Sequence, residues 1–208
     1  RPAGPTSGQF PLPAEAVEEA REVDGVAELG EVYLVPLVVD GEPAQPGNPY
    51  GEAIEGDITT ALPLDLKEVA PGADKDEVAH VDGEEGFFAT PGLAAERGWT
   101  VGETYQLSGG PGGPTVEAPL LGTFDGTGPM VMPVIATKTT AEQFAAPGTM
   151  QLYQVAVSKT EDADADDLRA GLEDAVKQLL VVQVMDSKDL AEEMGGAIDA
   201  MLNILYGM

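Results

Sequence analysis

Ala94-Ala95-Glu96-Arg97-Gly98-Trp99-Thr100-Val101-Gly102-Glu103-Thr104-Tyr105-Gln106-Leu107 is the stretch on which the reading of this chain turns. Pro91 to Arg97 reads as one or two helical turns, and Gly98 stops them as a glycine in the first left-handed position after a helix would. Val101-Gly102-Glu103 then reads as the start of a strand that runs on through Thr104 to Ser108. Just upstream, Gly86-Phe87-Phe88-Ala89-Thr90 is a strand signal. Downstream, Gly109 to Pro114 is a turn between Thr104 to Ser108 and a strand at Thr115 to Thr123, with another at Met130 to Thr137. The middle of the chain is therefore a small, mainly β unit.

Outward from this unit the pattern changes. Leu12-Pro13 leads into a helix over Ala14 to Arg21, with Pro in its first turn and acids near the positive end of its dipole. Asp24-Gly25 ends it, and Val26 to Val39 reads as a long or bent strand, Pro36 marking an edge or bulge and Asp40-Gly41 a turn. Residues 41 to 83 are rich in Pro, Gly and acids, with short strand candidates around Glu52 to Thr60 and Leu64 to Val69. Toward the other end, Thr139 to Phe144 reads as a short helix and Met150 to Ser158 alternates as a strand. Leu168, Leu172, Val176 and Leu179 share one face of a helix over Asp164 to Leu180. A strand at Val181 to Met185 follows. Asp186-Ser187 then caps a last helix whose face carries Leu190, Met194, Ile198, Met201 and Leu205, widened by Leu202 and Ile204. The order predicts an α+β fold, a split α+β layer with a β-rich subdomain inserted in it.

Composition narrows the function classes. The 208 residues hold 37 Asp and Glu against 10 Lys and Arg, a formal charge of −27, so a phosphate backbone or an anionic bilayer surface is repelled. Nucleic acid is excluded as a partner on that ground. Cysteine is absent, which removes disulfides, thiolate nucleophiles and Cys-based metal sites. No run of about 18 to 20 apolar residues is present. The chain starts at Arg1 without an initiator Met and stops at Met208 within the apolar last helix, and both ends read as cut sites.

Three features then carry a resemblance. They are the helix, Asp24-Gly25-Val26, strand sequence at Val17 to Val26; the Ala94 to Leu107 string followed by Pro119-Leu120-Leu121-Gly122-Thr123-Phe124; and the closing run Ile198 to Met208. Together they resemble the MacB-type periplasmic core domain of FtsX-like ABC-transporter permeases. Glu103 stands where the family pattern has Asp, and residues 41 to 83 have no counterpart in it. The resemblance implies a porter-like α+β subdomain over 1–60 and 138–190, an inserted β-rich subdomain over 61–137, and a stalk helix over 187–208 leading into a transmembrane segment. It further implies an extracytoplasmic location, a cytoplasmic ABC ATPase subunit and the permease's own transmembrane helices as partners, and a non-catalytic role in mechanical transmission to an exported substrate or outer partner. No catalytic residue, cofactor or metal ligand is implied. The exposed face of Ile198, Leu202 and Leu205 leads us to expect self-association of the isolated domain, a homodimer being the simplest form.

Several local patterns compete with that reading, from which a secreted acidic binding module for calcium or wall polymer, or a hydrolase, is the alternative. Asp162-Ala163-Asp164-Ala165-Asp166-Asp167 with Glu173 imitates a calcium loop, but Asp167 stands where the sharp turn needs Gly, and a helix N-terminal cap explains the acids. Ser108 to Thr115 is Gly-rich yet lacks the Lys of a phosphate loop. His80 is the only histidine, so any Ser–His–Asp arrangement must pass through it and a two-histidine metal site is impossible; it is expected at the surface. Glu84-Glu85 and Glu192-Glu193 read as solvated acid pairs. Trp99 reads as packing beneath the short helix rather than as a sugar platform.

Overall fold

The structure, a computed structural model, describes residues 11–126 and 131–179 together with Val184. The expected strand at Val181 to Met185, Val184 excepted, the last helix with its Met194 to Leu205 stripe, and Glu192-Glu193 lie outside the described residues.

In chain order the elements are α1 (Glu15–Arg21), β1 (Val26–Pro36), β2 (Val38–Val39), β3 (Glu42–Pro43), β4 (Tyr50–Gly56), α2 (Ile58–Ala61), β5 (Leu64–Val69), α3 (Lys75–Ala79), β6 (Phe87–Ala89), α4 (Pro91–Arg97), β7 (Thr104–Ser108), β8 (Thr115–Gly126), β9 (Val134–Thr137), α5 (Lys138–Phe144), β10 (Gln151–Lys159) and α6 (Ala165–Val176). The strands join in the order β10-β1-β4-β9-β6-β8-β7-β2-β3, with β5 also on β8. The β4–β9 and β6–β8 pairs are parallel and the others antiparallel. This is the expected α+β class, built on one mixed sheet.

Two points explain how the chain makes a sheet of this width. At Pro36 the chain leaves β1, which pairs with β10 and β4, and after Leu37 enters β2, which pairs with β3 and β7 instead. Proline has no amide to continue a ladder, so a change of partner at that residue loses no hydrogen bond. The second point is β8. Its Thr115 to Pro119 half pairs with β7, and its Leu120 to Gly126 half lies between β6 and β5. At the far edge Asp40 (φ 52°) and Gly41 (φ 80°) make the two-residue hairpin turn between β2 and β3, a conformation that Asp-Gly favours.

Both faces of the sheet are covered, and successive residues divide between them as a pleated strand requires. Ala53, Phe87, Leu107, Leu120, Ala136 and Phe144 belong to the core of the first face. Ile54, Phe88, Phe124 and Ile135 belong to the second, with Ile58 and Ala61 of α2 packed on them. Phe87, Phe88, Phe124 and Phe144 are at most 1% exposed, and burying each such ring stabilises the fold by roughly 1.5–3 kcal/mol.

Three readings need correction. The strand expected around Glu52 to Thr60 ends at Gly56, where φ is 86° and a Cβ would lie 2.1 Å from the Leu29 carbonyl oxygen; Asp57 then caps α2, its Oδ1 accepting from the Thr60 amide at 2.7 Å. Val101-Gly102-Glu103 is a turn, closed by the Glu103 amide on the Thr100 carbonyl at 3.1 Å, and the strand begins at Thr104. The acid-rich segment also hides α3, started by Asp74, whose carboxylate accepts from the amides of Asp76 and Glu77. In both α2 and α3 an Asp N-cap sets where the short helix begins.

Candidate functional site

Charged side chains gather where β1 and β4 pair. Glu31, 4% exposed, follows Gly30 in β1 and faces the side of the sheet covered by α1 and α5. Tyr33 donates its hydroxyl to Oε2 of Glu31, Lys138 Nζ lies 3.4 Å from the same oxygen, and Arg21 of α1 reaches Oε1 at 3.8 Å. Lys138 also stands over the Tyr33 ring, 5.2 Å from its centroid, a cation–π contact. Burial alone would lower the lysine's pKa, but its bond to Tyr33 and the charges of Glu31 and Glu55 outweigh that and push it up to about 12. Tyr33 is likewise pushed up to about 12, by burial first and then by its bond to Glu31. Burial also raises Glu55, against the pull of Lys138.

A second group lies at the start of β1. His80 Nδ1 is 2.8 Å from the Asp76 carbonyl oxygen, which leaves Nε2 facing Oε2 of Glu28 and Oδ2 of Asp57, each at 3.6 Å. The bond to the Asp76 carbonyl is the largest cause of a raised pKa, and the two carboxylates add to it against the lowering effect of burial. Two small cavities lie near this group, and His80 lines the first of them. One, of about 210 Å³, is bordered by Asp57, Thr59, Asp65, Lys75, Asp76 and His80; the other, of about 190 Å³, by Arg21, Glu28, Glu31 and Asp82. Both fall below the roughly 300 Å³ at which pockets begin to enclose a small organic ligand.

On the opposite face sits Glu52, 0% exposed. Tyr153 donates to its Oε1 and the Met132 amide to its Oε2, the latter at 3.1 Å.

The residues singled out from sequence fall into place around this region without joining it, His80 excepted. Asp164 caps α6, its Oδ1 accepting from the amides of Asp166 and Asp167 at 2.9 and 3.2 Å. Glu173 pairs with Arg169 one turn away, at 3.1 Å. Among the described residues no three His, Asp or Glu side chains are arranged to hold a metal ion. Gly109 to Pro114 is the turn between β7 and β8. Trp99 packs edge-on against Phe87, centroids 5.7 Å apart, and beside Tyr105, below Gly98 in its left-handed position (φ 69°). Glu85 accepts from the Gln143 side chain at 2.7 Å, tying α5 to the β6 approach. Glu31 and Glu52 were missed. The signal that could have found them is an acid inside a strand flanked by a small residue and an apolar one, Gly30-Glu31-Val32 and Gly51-Glu52-Ala53.

The first and last described helices also meet. A Cβ on Gly171 of α6 would lie 2.9 Å from Cγ1 of Val23, just past α1, and the Thr160 amide donates to the Gly25 carbonyl at 2.9 Å. Among the described residues no helix is long and apolar enough to cross a membrane.

No protein-family model matches this sequence, and no curated protein matches it. Solved structures do. The periplasmic region of MacB from Actinobacillus actinomycetemcomitans superposes with a TM-score of 0.56 at 11% identity, over 91% of this chain and 85% of that one. The extracellular domain of the noncanonic ABC-type transporter YknZ from Gram-positive bacteria aligns with a TM-score of 0.46 at 14% identity, over 82% of this chain and 90% of that one. At these identities the MacB comparison establishes the shared fold, the one expected from the sequence.

Proposed function

We propose that this chain is the extracytoplasmic domain of an ABC-transporter permease of the MacB/FtsX type, a non-catalytic part that links the permease's membrane helices to an exported substrate or an outer partner. The observation that carries this reading is the fold shared with the periplasmic region of MacB over 91% of the chain. The charged seam is internally paired, as in the Arg21–Glu31–Lys138 group, and its cavities are small, which suits a load-bearing junction better than a substrate pocket.

In this reading the cytoplasmic ATPase subunit moves the membrane helices, and α1 and α6, packed together, receive the movement side by side. It reaches the sheet through Arg21 on Glu31 and through the α6 cap at the end of β10. This is a rigid-body transmission of the hinge or shear kind. A second copy of the domain is the expected neighbour.

The full-length gene product, purified from membranes, should bring an ABC ATPase with it. A product released into the medium with no membrane segment would overturn the reading and return the chain to the secreted-module class. A disulfide lock, made after any cysteine outside these 208 residues has been replaced, gives a sharper test of the coupling. With Val23→Cys and Gly171→Cys in the full-length permease, oxidation should lock α1 to α6 and suppress transport-coupled ATP hydrolysis, and reduction should restore it. Coupled hydrolysis that is unchanged by the lock would exclude relative movement of these helices as the route.

A further inference from the structure

Glu52 has no part in the transmission just described, yet it is the most completely buried acid among the described residues. It stands in β4 opposite Ile135 of the parallel strand β9. Its carboxyl joins three segments far apart in sequence: β4 itself, the Met132 amide in the lead into β9, and Tyr153 of β10. Tyr153 reaches it because of an irregularity in the β1–β10 ladder. Val32 faces Gln154 and Tyr33 faces Leu152, so Tyr153 has no partner on β1 and its ring is free to turn onto the second face, where it packs against that core. A bulge re-aims a side chain in this way. The neighbouring Gln154 holds α2 to the same place, donating to the Ala61 carbonyl at 2.8 Å.

What the junction lacks is a cation. Tyr153 is the titratable group facing the carboxyl; β9 offers Ile135, the lead into β9 an amide, and α2 apolar side chains. No Lys, Arg or His among the described residues pairs with it, whereas Glu31 on the other face has two. In the acid form Oε1–H and the Tyr153 hydroxyl make one hydrogen bond and Oε2 accepts from Met132, so the junction is held with no charge buried in it. In the ionised form a full charge is left in the core with only two neutral donors, a costly arrangement.

We propose that Glu52 is a proton-operated latch, fastening the lead into β9 and the β10 bulge to β4 as a carboxylic acid and loosening that junction when it ionises. Burial is the main cause that pushes its pKa from the ordinary 4.5 up to about 7, against the smaller opposing effects of the bonds from Tyr153 and Met132. The sign follows from proton binding. A raised pKa means that the folded state holds a proton that the open state gives up, so the latch is fully closed below about pH 4.5, weakens as pH rises toward 7, and gains no further sensitivity above that. The window covers the range an extracytoplasmic surface meets, but the latch itself is a property of the folded domain and stands apart from the transporter reading.

Amide hydrogen exchange at residues 131–135, corrected for intrinsic rates and followed from pH 5 to pH 8.5, tests it. Protection should fall by about tenfold or more across that range in the native chain, and Glu52→Gln should hold the protected level throughout. Tyr153→Phe, which removes a donor to the ionised form, should move the midpoint upward rather than abolish it. Native protection that does not change with pH, or a Glu52→Gln variant that keeps the native dependence, would overturn the latch. Should that variant fail to fold, the carboxyl carbon resonance of Glu52 in the native chain decides: a midpoint near 7 supports the proposal and one below about 5.5 sinks it.

Discussion

The two faces of the sheet each bury one glutamate, on neighbouring strands, and treat it in opposite ways. Glu31, 4% exposed, is surrounded by Lys138, Arg21 and the Tyr33 hydroxyl. Glu52, 0% exposed, meets a tyrosine and an amide and, among the described residues, no cation. Burial is nearly equal, so burial does not separate them. The difference lies in whether opposite charge travels into the core with the carboxylate. With it, the acid becomes a structural tie between strand and helix; without it, the acid becomes a group whose proton the fold holds.

The largest test of that contrast is pH dependence. Because the folded pKa of Glu52 is raised, native stability should decline between about pH 4.5 and 7 relative to Glu52→Gln, by about 3 kcal/mol once complete, read as the difference between urea midpoints of the two proteins across pH. A constant difference across pH would mean that the acid is solvated or paired after all. Next, Lys138→Met should cost about 2–3 kcal/mol by leaving buried Glu31 with the Tyr33 hydroxyl and only the 3.8 Å contact to Arg21 as its cation, and adding Glu31→Gln should recover most of it. A single variant as stable as the native protein would show that the tie contributes nothing.

Away from both glutamates, Asp164→Ala should cost about 1 kcal/mol in thermal or urea unfolding, with no change in calcium response, since its work is to cap α6. A stabilisation by millimolar calcium that Asp164→Ala abolishes would revive the calcium-loop reading. The smallest effect concerns His80, half exposed between Glu28 and Asp57. As the chain's only histidine it gives one imidazole titration by NMR, whose midpoint should lie above the ordinary 6.5 and drop in Glu28→Gln. The stability it contributes is present below pH 6.5 and lost as pH rises through that midpoint, opposite in origin to Glu52 but alike in direction.

How much of this was legible in the sequence depends on how far apart the deciding residues are. Gly98, Asp164, Asp40-Gly41 and the helix of Leu168 and Val176 act within a few residues, and each was read correctly. Pro36 was read as marking an edge or bulge, and the structure adds that the chain changes partners there. The second sheet face was harder. Glu52 depends on Tyr153, 101 residues away, and on a bulge of one residue that no periodicity reveals. Likewise His80 reads as a lone surface histidine because Glu28 comes near it only when β1 pairs with β4 and Asp57 pairs with His80 in an isolated bridge. Where the sequence was richest in acids and turns, between 41 and 83, short-range cap chemistry set the helices, and acids spread along the whole segment masked which of them were caps.

The shared strand β8 has a mechanical consequence. A single backbone runs from the β7 side into the place between β5 and β6, so tension applied along it passes through covalent bonds from one part of the sheet to the other. The ladders on either side would then be loaded in shear, many hydrogen bonds resisting together, where a seam between separate strands would peel one bond at a time. A fold built this way resists stretching along β8.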